Sequence, residues 1–179
     1  VAAPGVRILA TSEIPMRAGL GSSAAAAVGG VRLYHALTGT LSEQDMLSLA
    51  SECEGHPDNA AASLLGGLTV SCRHEDGRVT ARAIAWPDRL RFVIATPDAG
   101  LATKDARAVL PEHVPLTDAV FNLQRALVVM RALEEERYED LREAFRDRWH
   151  QPTRSALVPG LQEALAIDHP AVLGVCLSG

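Results

Sequence analysis

The chain has 179 residues, of which 47% are hydrophobic, 22% charged and 4% aromatic, and its formal net charge is −5. That is enough for one ordinary domain or two small ones with real cores, and the mixture excludes a disordered or collagen-like polymer. Its 17 cationic residues, all arginine except Lys104, are interleaved with 22 acidic ones rather than gathered in a stripe, so no nucleic-acid footprint is visible.

Apolar stretches are alanine-rich and broken within about a dozen residues, short of the roughly 20 that span a bilayer, so neither a transmembrane helix nor a signal peptide is expected. Cys53, Cys72 and Cys176 stand singly in apolar surroundings, the usage of buried thiols in a reducing cytoplasm. The chain opens on Val1 and stops at Gly179 just after an apolar run, which reads as an internal piece of a longer protein.

In chain order, residues 6–11 alternate as a strand and run into a loop through Pro15. Ala24, Ala27, Val28, Val31 and Leu37 recur at helical spacing, and Gly39 ends that helix. Ser42 and Asp45 form a capping box for a helix reaching about Glu54. A polar turn through Asn59 precedes an Ala/Leu run ending at Gly66 and Gly67. Residues 68–72 and 79–85 are β-like, separated by the hairpin signal Asp76-Gly77. Residues 90–95 read as another strand. From 116 to 147 the pattern is helical with a break near 134–138, followed by a short helix near 161–166 and a strand at 172–177. Phe121, Leu123, Leu127 and Met130 are expected in the helix core, and residues 134–137 in a solvated turn. Strands and helices mix without strict βαβ alternation, which argues for an α+β fold.

The most informative stretch is Gly19, Leu20, Gly21, Ser22, Ser23 and Ala24, between a strand and a helix. Glycines let the backbone approach a ligand, and free amides at a helix start make an anion site. The two hydroxyls add donors, or a ligand for a phosphate-bound metal. The loop lacks the lysine of a Walker sequence, the third glycine of G-x-G-x-x-G and the closing glycine of a nucleophile elbow. A plainer reading makes the serines caps on a closely packed core helix, and the residues alone leave both open. A hydrolase dyad of His56 and Asp58 acting on Ser22 or Ser23 is disfavoured by the missing elbow.

Pro15-x-x-x-Gly19 continued through Ala24 resembles the phosphate-binding signature of the GHMP kinases, named for galactokinase, homoserine kinase, mevalonate kinase and phosphomevalonate kinase. Glu54, Gly55, His56, Pro57, Asp58 and Asn59 followed by Leu65-Gly66-Gly67, and then His150 to Arg154 before Leu157-Val158-Pro159-Gly160, resemble the homoserine kinases within that superfamily. The resemblance implies a two-domain α+β fold. Residues 1–70 would be a ribosomal S5 domain 2-like ATP-binding part, residues 71–179 a ferredoxin-like α/β plait, and the active site the cleft between them.

It also implies ATP and Mg²⁺, with transfer of the γ-phosphate to the side-chain hydroxyl of L-homoserine, giving O-phospho-L-homoserine for threonine biosynthesis. Pro15, Ala18, Gly19, Leu20, Gly21, Ser22, Ser23 and Ala24 would surround the nucleotide. Ser23 and Glu54 would hold the metal, with Glu52 as the competing carboxylate. His56, Asp58, Asn59, Arg107 and Arg154 would bind the amino acid, Asn59 orienting the reacting hydroxyl and the arginines gripping the carboxylate. A base is left unassigned, because a loose transition state demands little early deprotonation.

By the same resemblance a homodimer is expected, while the cysteine usage points to the cytoplasm and the charge and apolar patterning to no nucleic-acid or membrane partner. The family's N-terminal Asn and Asp would precede Val1 and its last glycine-rich motif is cut at Gly179, so the piece alone is not expected to be active. Ala102 and Thr153 depart from the family's usual serine and aromatic. The alternatives are another GHMP small-molecule kinase, such as a mevalonate or sugar kinase, and a nucleotide-binding module without catalysis.

Overall fold

A computed structural model describes residues 5–16, 18–96 and 109–178. The first half is built from three helices. Helix α1 (Ser22–Thr38) follows Gly21, which sits in the left-handed region at φ 72, and closes at Gly39, whose amide donates to the His35 carbonyl at 2.7 Å. Its alanines favour the helix and let neighbours approach closely. Helix α2 (Glu43–Glu54) starts on the predicted capping box: Ser42 Oγ accepts the Asp45 amide at 3.1 Å and Asp45 Oδ2 accepts the Ser42 amide at 2.9 Å. Gly55, at φ 81, ends α2 and leaves Glu54 as its last residue. After His56 and Pro57, helix α3 (Asp58–Leu65) begins.

These helices share a core of Val28, Leu47, Ala50, Ala60, Ala61 and Leu64, completed by Val79 from the hairpin. Two polar ties reinforce it. Arg32 Nη2 donates to the Leu64 carbonyl at 2.7 Å, and Gln44 Nε2 to the Val79 carbonyl at 2.8 Å.

Strands β1 (Leu68–Arg73) and β2 (Val79–Ile84) pair antiparallel from Leu68 with Ile84 to Arg73 with Val79. The predicted turn closes between them through the His74 amide on the Arg78 carbonyl at 2.8 Å, with Gly77 at φ 85. Gly67 is required at the base of the hairpin. Its φ is +68, and a Cβ there would lie 2.4 Å from the Ile84 carbonyl oxygen.

The second half rests on α4 (Leu116–Glu134), whose end is closed by the Arg137 amide on the Ala132 carbonyl at 2.8 Å, with Glu136 in the left-handed region at φ 57. This is the Schellman closure, with glutamate where glycine is usual. A 3₁₀ turn (Tyr138–Asp140) and the short helices α5 (Leu141–Ala144), α6 (Gln151–Arg154) and α7 (Leu161–Leu165) follow. Leu90, Ala132, Leu133 and Leu141 form a second core, against which Leu68, Trp86 and Phe145 pack.

Several sequence expectations are corrected. Residues 6–11, 90–95 and 172–177 carry no strand pairing among the described residues, where the one sheet is β1–β2. A strand is defined by its neighbour's hydrogen bonds, and an apolar alternation supplies only the side chains. Helix does not continue to 147, because Asp147 takes up the amides of residues 149–151 and starts α6 instead. Leu123 and Leu127 are exposed rather than core, since α4 buries only its last turn, at Ala132 and Leu133. Phe121, half-buried, carries cations on its ring: the guanidinium carbons of Arg125 and Arg148 lie 3.1 and 3.8 Å from its centroid. Cys53, Cys72 and Cys176 are free and exposed, not buried.

Candidate active site

The glycine-serine loop meets the ends of α2 and α3. Gly19 and Gly21 both adopt left-handed φ, 71 and 72, which turns the loop so that Ser22 opens α1. Ser23, in the first turn of α1, donates its hydroxyl to Glu54 Oε2 at 2.9 Å. Glu52 is exposed and stands outside the cavity, so of the two carboxylates Glu54 alone faces the loop.

Pro57 stiffens the turn into α3, where Asp58 Oδ1 accepts the Asn59 amide at 2.6 Å and hydrogen-bonds the His56 ring at Nδ1. Asn59 itself lies against the loop: a Cβ added to Gly21 would come 3.5 Å from Asn59 Cγ. Glycine at this position therefore brings the loop backbone and the Asn59 amide side by side. Ser23 is engaged by Glu54 rather than by His56, as a phosphate site would have it and a hydrolase dyad would not.

One cavity of ≈ 1980 Å³ joins these groups. Gly19, Leu20, Gly21, Ser22, Ser23, Glu54, His56, Asp58 and Asn59 line one side, and Arg154 and Gln151 of α6 line the other. The volume exceeds the usual few hundred to about 1,000 Å³ of a single-ligand site, leaving room for two substrates. Arg154 is only 5% exposed, so its guanidinium is held in the wall rather than free in solvent. The two sides also touch, for Ser178 Oγ donates to the Gly19 carbonyl at 2.7 Å.

Of the other predicted residues, Pro15, Ala18 and Ala24 do not line the cavity. Ala24 is fully buried behind the loop, where only a small side chain fits. Arg107 lies outside the described residues. The structure adds Asn122, Arg125 and Asp147 to the wall, none of which the sequence reading singled out. The available signal was spacing: Asn122 and Arg125 share a helix face opposite the exposed Leu123 and Leu127.

Comparison with known proteins finds relatives along almost the whole chain. The family described as GHMP kinases N terminal domain matches residues 1–67. A homoserine kinase of Aquifex aeolicus is 40% identical over 176 residues, covering 97% of this chain and 59% of that protein. The chain is similar to the GHMP kinases. Another relative, the homoserine kinase of Desulfitobacterium hafniense, is 42% identical over 98% of this chain and 60% of its own length. The crystal structure of homoserine kinase from Cytophaga hutchinsonii superposes with a TM-score of 0.72 at 28% identity, covering 86% of this chain and 50% of that one. This chain spans a little under three fifths of the curated relatives it matches.

The donor set suits a nucleotide with its metal. Backbone amides of a left-handed glycine loop at a helix start favour phosphate. A hydroxyl and a carboxylate in contact, Ser23 and Glu54, are the hard oxygens that Mg²⁺ takes one or two at a time, keeping water and phosphate for the rest. Among the described residues no group of three or more His, Cys, Asp or Glu is placed to hold a metal ion. No helix among the described residues is long and apolar enough to cross a membrane.

Proposed function

We propose that the protein containing this chain is a homoserine kinase, transferring the γ-phosphate of ATP to the side-chain hydroxyl of L-homoserine to give O-phospho-L-homoserine. The observation that carries the reading is the single cavity in which the loop at Gly19 to Ser23, the Glu54 carboxylate, the Asn59 amide and the buried Arg154 face one another. The similarity to homoserine kinases along almost the whole chain supports the same reading.

Phosphoryl transfer passes through a loose transition state, so the protein's task is to align donor and acceptor and to neutralise charge. The amides of Gly19 to Ser22 hold the phosphates. Ser23 and Glu54 hold Mg²⁺, which when bound neutralises charge on the phosphate oxygens. Asn59, against the loop at Gly21, orients the acceptor hydroxyl. His56, braced by Asp58, lines the amino-acid end. Arg154 grips the substrate carboxylate, a task its planar fork of donors suits. Arg107 is assigned the second half of that grip. Pro15, Ala18 and Ala24 shape the nucleotide side from behind, and Leu20 from the cavity wall.

In this reading residues 1–70 form the nucleotide-binding part, with the S5 domain 2-like architecture, and residues 71–179 the ferredoxin-like part. The hairpin connects them, Val79 lying in the first core and Leu68 against the second. The protein acts in the cytoplasm, as a dimer, on a small molecule.

The test is ADP release by the full-length protein with MgATP and either homoserine, mevalonate, galactose or no acceptor. Turnover confined to homoserine, with a homoserine KM raised at least about tenfold in Arg154→Ala at unchanged KM for MgATP, is the expected result. Turnover with another acceptor, or with none of them, removes the assignment.

A further inference from the structure

One carboxylate organises the turn between α5 and α6. Asp147 Oδ2 accepts the amides of His150 at 2.7 Å and Gln151 at 2.5 Å, while Oδ1 accepts the Trp149 amide at 3.0 Å. Asn122, on α4, donates its side-chain amide to the same Oδ1, and its own oxygen accepts the Arg148 amide at 3.0 Å. Thus Asp147 collects donors from its own turn and from a helix 25 positions upstream. Burial pushes its carboxyl up, but the hydrogen bonds from Gln151, Trp149, Asn122 and His150 outweigh this and hold it below its usual range.

Both wall residues of the cavity hang from this turn. His150, whose amide Asp147 holds, accepts the Arg154 amide on its carbonyl at 2.9 Å, so Arg154 stands one helical turn beyond the anchored amides. Gln151, held the same way, accepts the Leu177 amide on Oε1 at 2.9 Å, beside the Ser178 that bonds Gly19. A helix of four residues cannot nucleate by itself, because its first turn fixes several dihedrals for a single hydrogen bond. Its geometry has to come from the side chain that binds its free amides.

We propose that Asp147, held by Asn122, is a positioning residue for acceptor binding: it fixes the turn from which Arg154 reaches the cavity. This rests on Arg154 as the anchor of the acceptor's carboxylate. Asp147 acts through the turn that carries Gln151 and Arg154, so its loss weakens acceptor binding and leaves nucleotide binding in place.

The test uses the full-length protein with Asp147→Asn, Asp147→Ser and Asn122→Ala, each checked by thermal melting. Kinetics are measured with acceptor varied at saturating MgATP, and the reverse. Asp147→Asn is expected to raise acceptor KM about tenfold, with kcat and the KM for MgATP within about twofold of wild type. Asp147→Ser, which keeps one capping oxygen and sets no N–H donor against these amides, should recover part of that KM. Asn122→Ala leaves the three amide contacts of Asp147 intact, so it carries the test at about threefold if Asp147→Asn does not fold. An unchanged acceptor KM in folded variants, or losses in kcat and both KM values that track the melting temperature, overturns the proposal. If the wild-type protein turns over a different anionic acceptor, homoserine is wrong and that acceptor's KM still decides Asp147. Turnover with an uncharged acceptor overturns both.

Discussion

Ser23 donates its hydroxyl to Glu54 Oε2 across 2.9 Å, joining the first turn of α1 to the last residue of α2 although 31 positions separate them. Each helix end is set by its own glycine, Gly21 before α1 and Gly55 after α2, so the pair meets because both helices stop where they do. A donor hydroxyl facing an anionic oxygen is an arrangement a divalent cation can enter, turning both oxygens into ligands.

From this pair follows a graded loss of activity in the full-length protein. Glu54→Gln removes the charge and keeps the shape, and kcat should fall about 100-fold, the scale of losing one electrostatic partner of the transition state. Ser23→Ala should cost about tenfold and be partly restored by raising Mg²⁺. Glu52→Gln, at an exposed position off the cavity, should stay within about twofold of wild type. Equal losses at Glu52 and Glu54 in Mg²⁺-dependent assays would remove the metal role from Glu54.

Two glycines should respond differently to alanine. At Gly21 a Cβ finds ordinary contact, 3.5 Å from Asn59 Cγ, so the cost is that of the left-handed φ of 72, about 1 kcal/mol. At Gly67 the same conformational strain is joined by a clash 2.4 Å from the Ile84 carbonyl oxygen, backbone that cannot step aside, and the cost should reach about 3 kcal/mol. Urea unfolding midpoints rank the two. Gly21→Ala should lose activity out of proportion to its small stability change, since the altered backbone belongs to the proposed phosphate site. A Gly67→Ala protein as stable as Gly21→Ala would contradict the close approach.

The difference between what the sequence revealed and what it hid follows from range. Ser42 with Asp45, Gly39 and Asp76-Gly77 are signals whose partners lie within a few residues, and α1, α2 and the hairpin fall where those signals put them. Residues 90–95 look equally strand-like, yet Phe92 and Val93 are exposed and no neighbour pairs with them among the described residues. Pairing is a property of two segments, and one segment's alternation cannot report it. The site divides the same way. The loop, Glu54 and Asn59 sit in short local patterns. Asn122 and Asp147 act on each other across 25 positions through a side-chain bond that no spacing announces.

Asn59 offers a sharper test of the acceptor side. It lies against Gly21 and is one residue from Asp58, whose carboxylate holds the Asn59 amide at 2.6 Å, so its backbone is fixed independently of its side chain. Asn59→Ala should therefore leave the fold and the KM for MgATP in place while kcat with homoserine falls about 100-fold, the scale of losing an orienting contact. Because an amide does not titrate, the pH profile of the residual activity should keep the wild-type shape. Unchanged kcat would take the orienting role away from Asn59, and a lost pH limb would make it part of a proton path.

Acid should act on the fold through Asp147 in particular. Its carboxyl is depressed in the folded chain by the hydrogen bonds it accepts, while in the unfolded chain it returns to about 3.9. Between the depressed value and about 3.9 the unfolded state binds the extra proton, so stability rises with pH across that window. The stabilisation is complete above about pH 4 and is lost as pH falls through the folded value. Asp45, Asp76 and Glu143 are lowered too, held by hydrogen bonds from Ser42, Arg78 and Arg146 respectively, but they remain in an Asp147→Asn variant and cancel in the comparison. Urea midpoints of wild type and Asp147→Asn, measured from pH 7 down to about pH 3, should therefore converge as the medium acidifies. A gap of constant size across that range would mean that the ionisation of Asp147 contributes nothing to holding the turn, and that the difference between the two proteins lies in side-chain geometry.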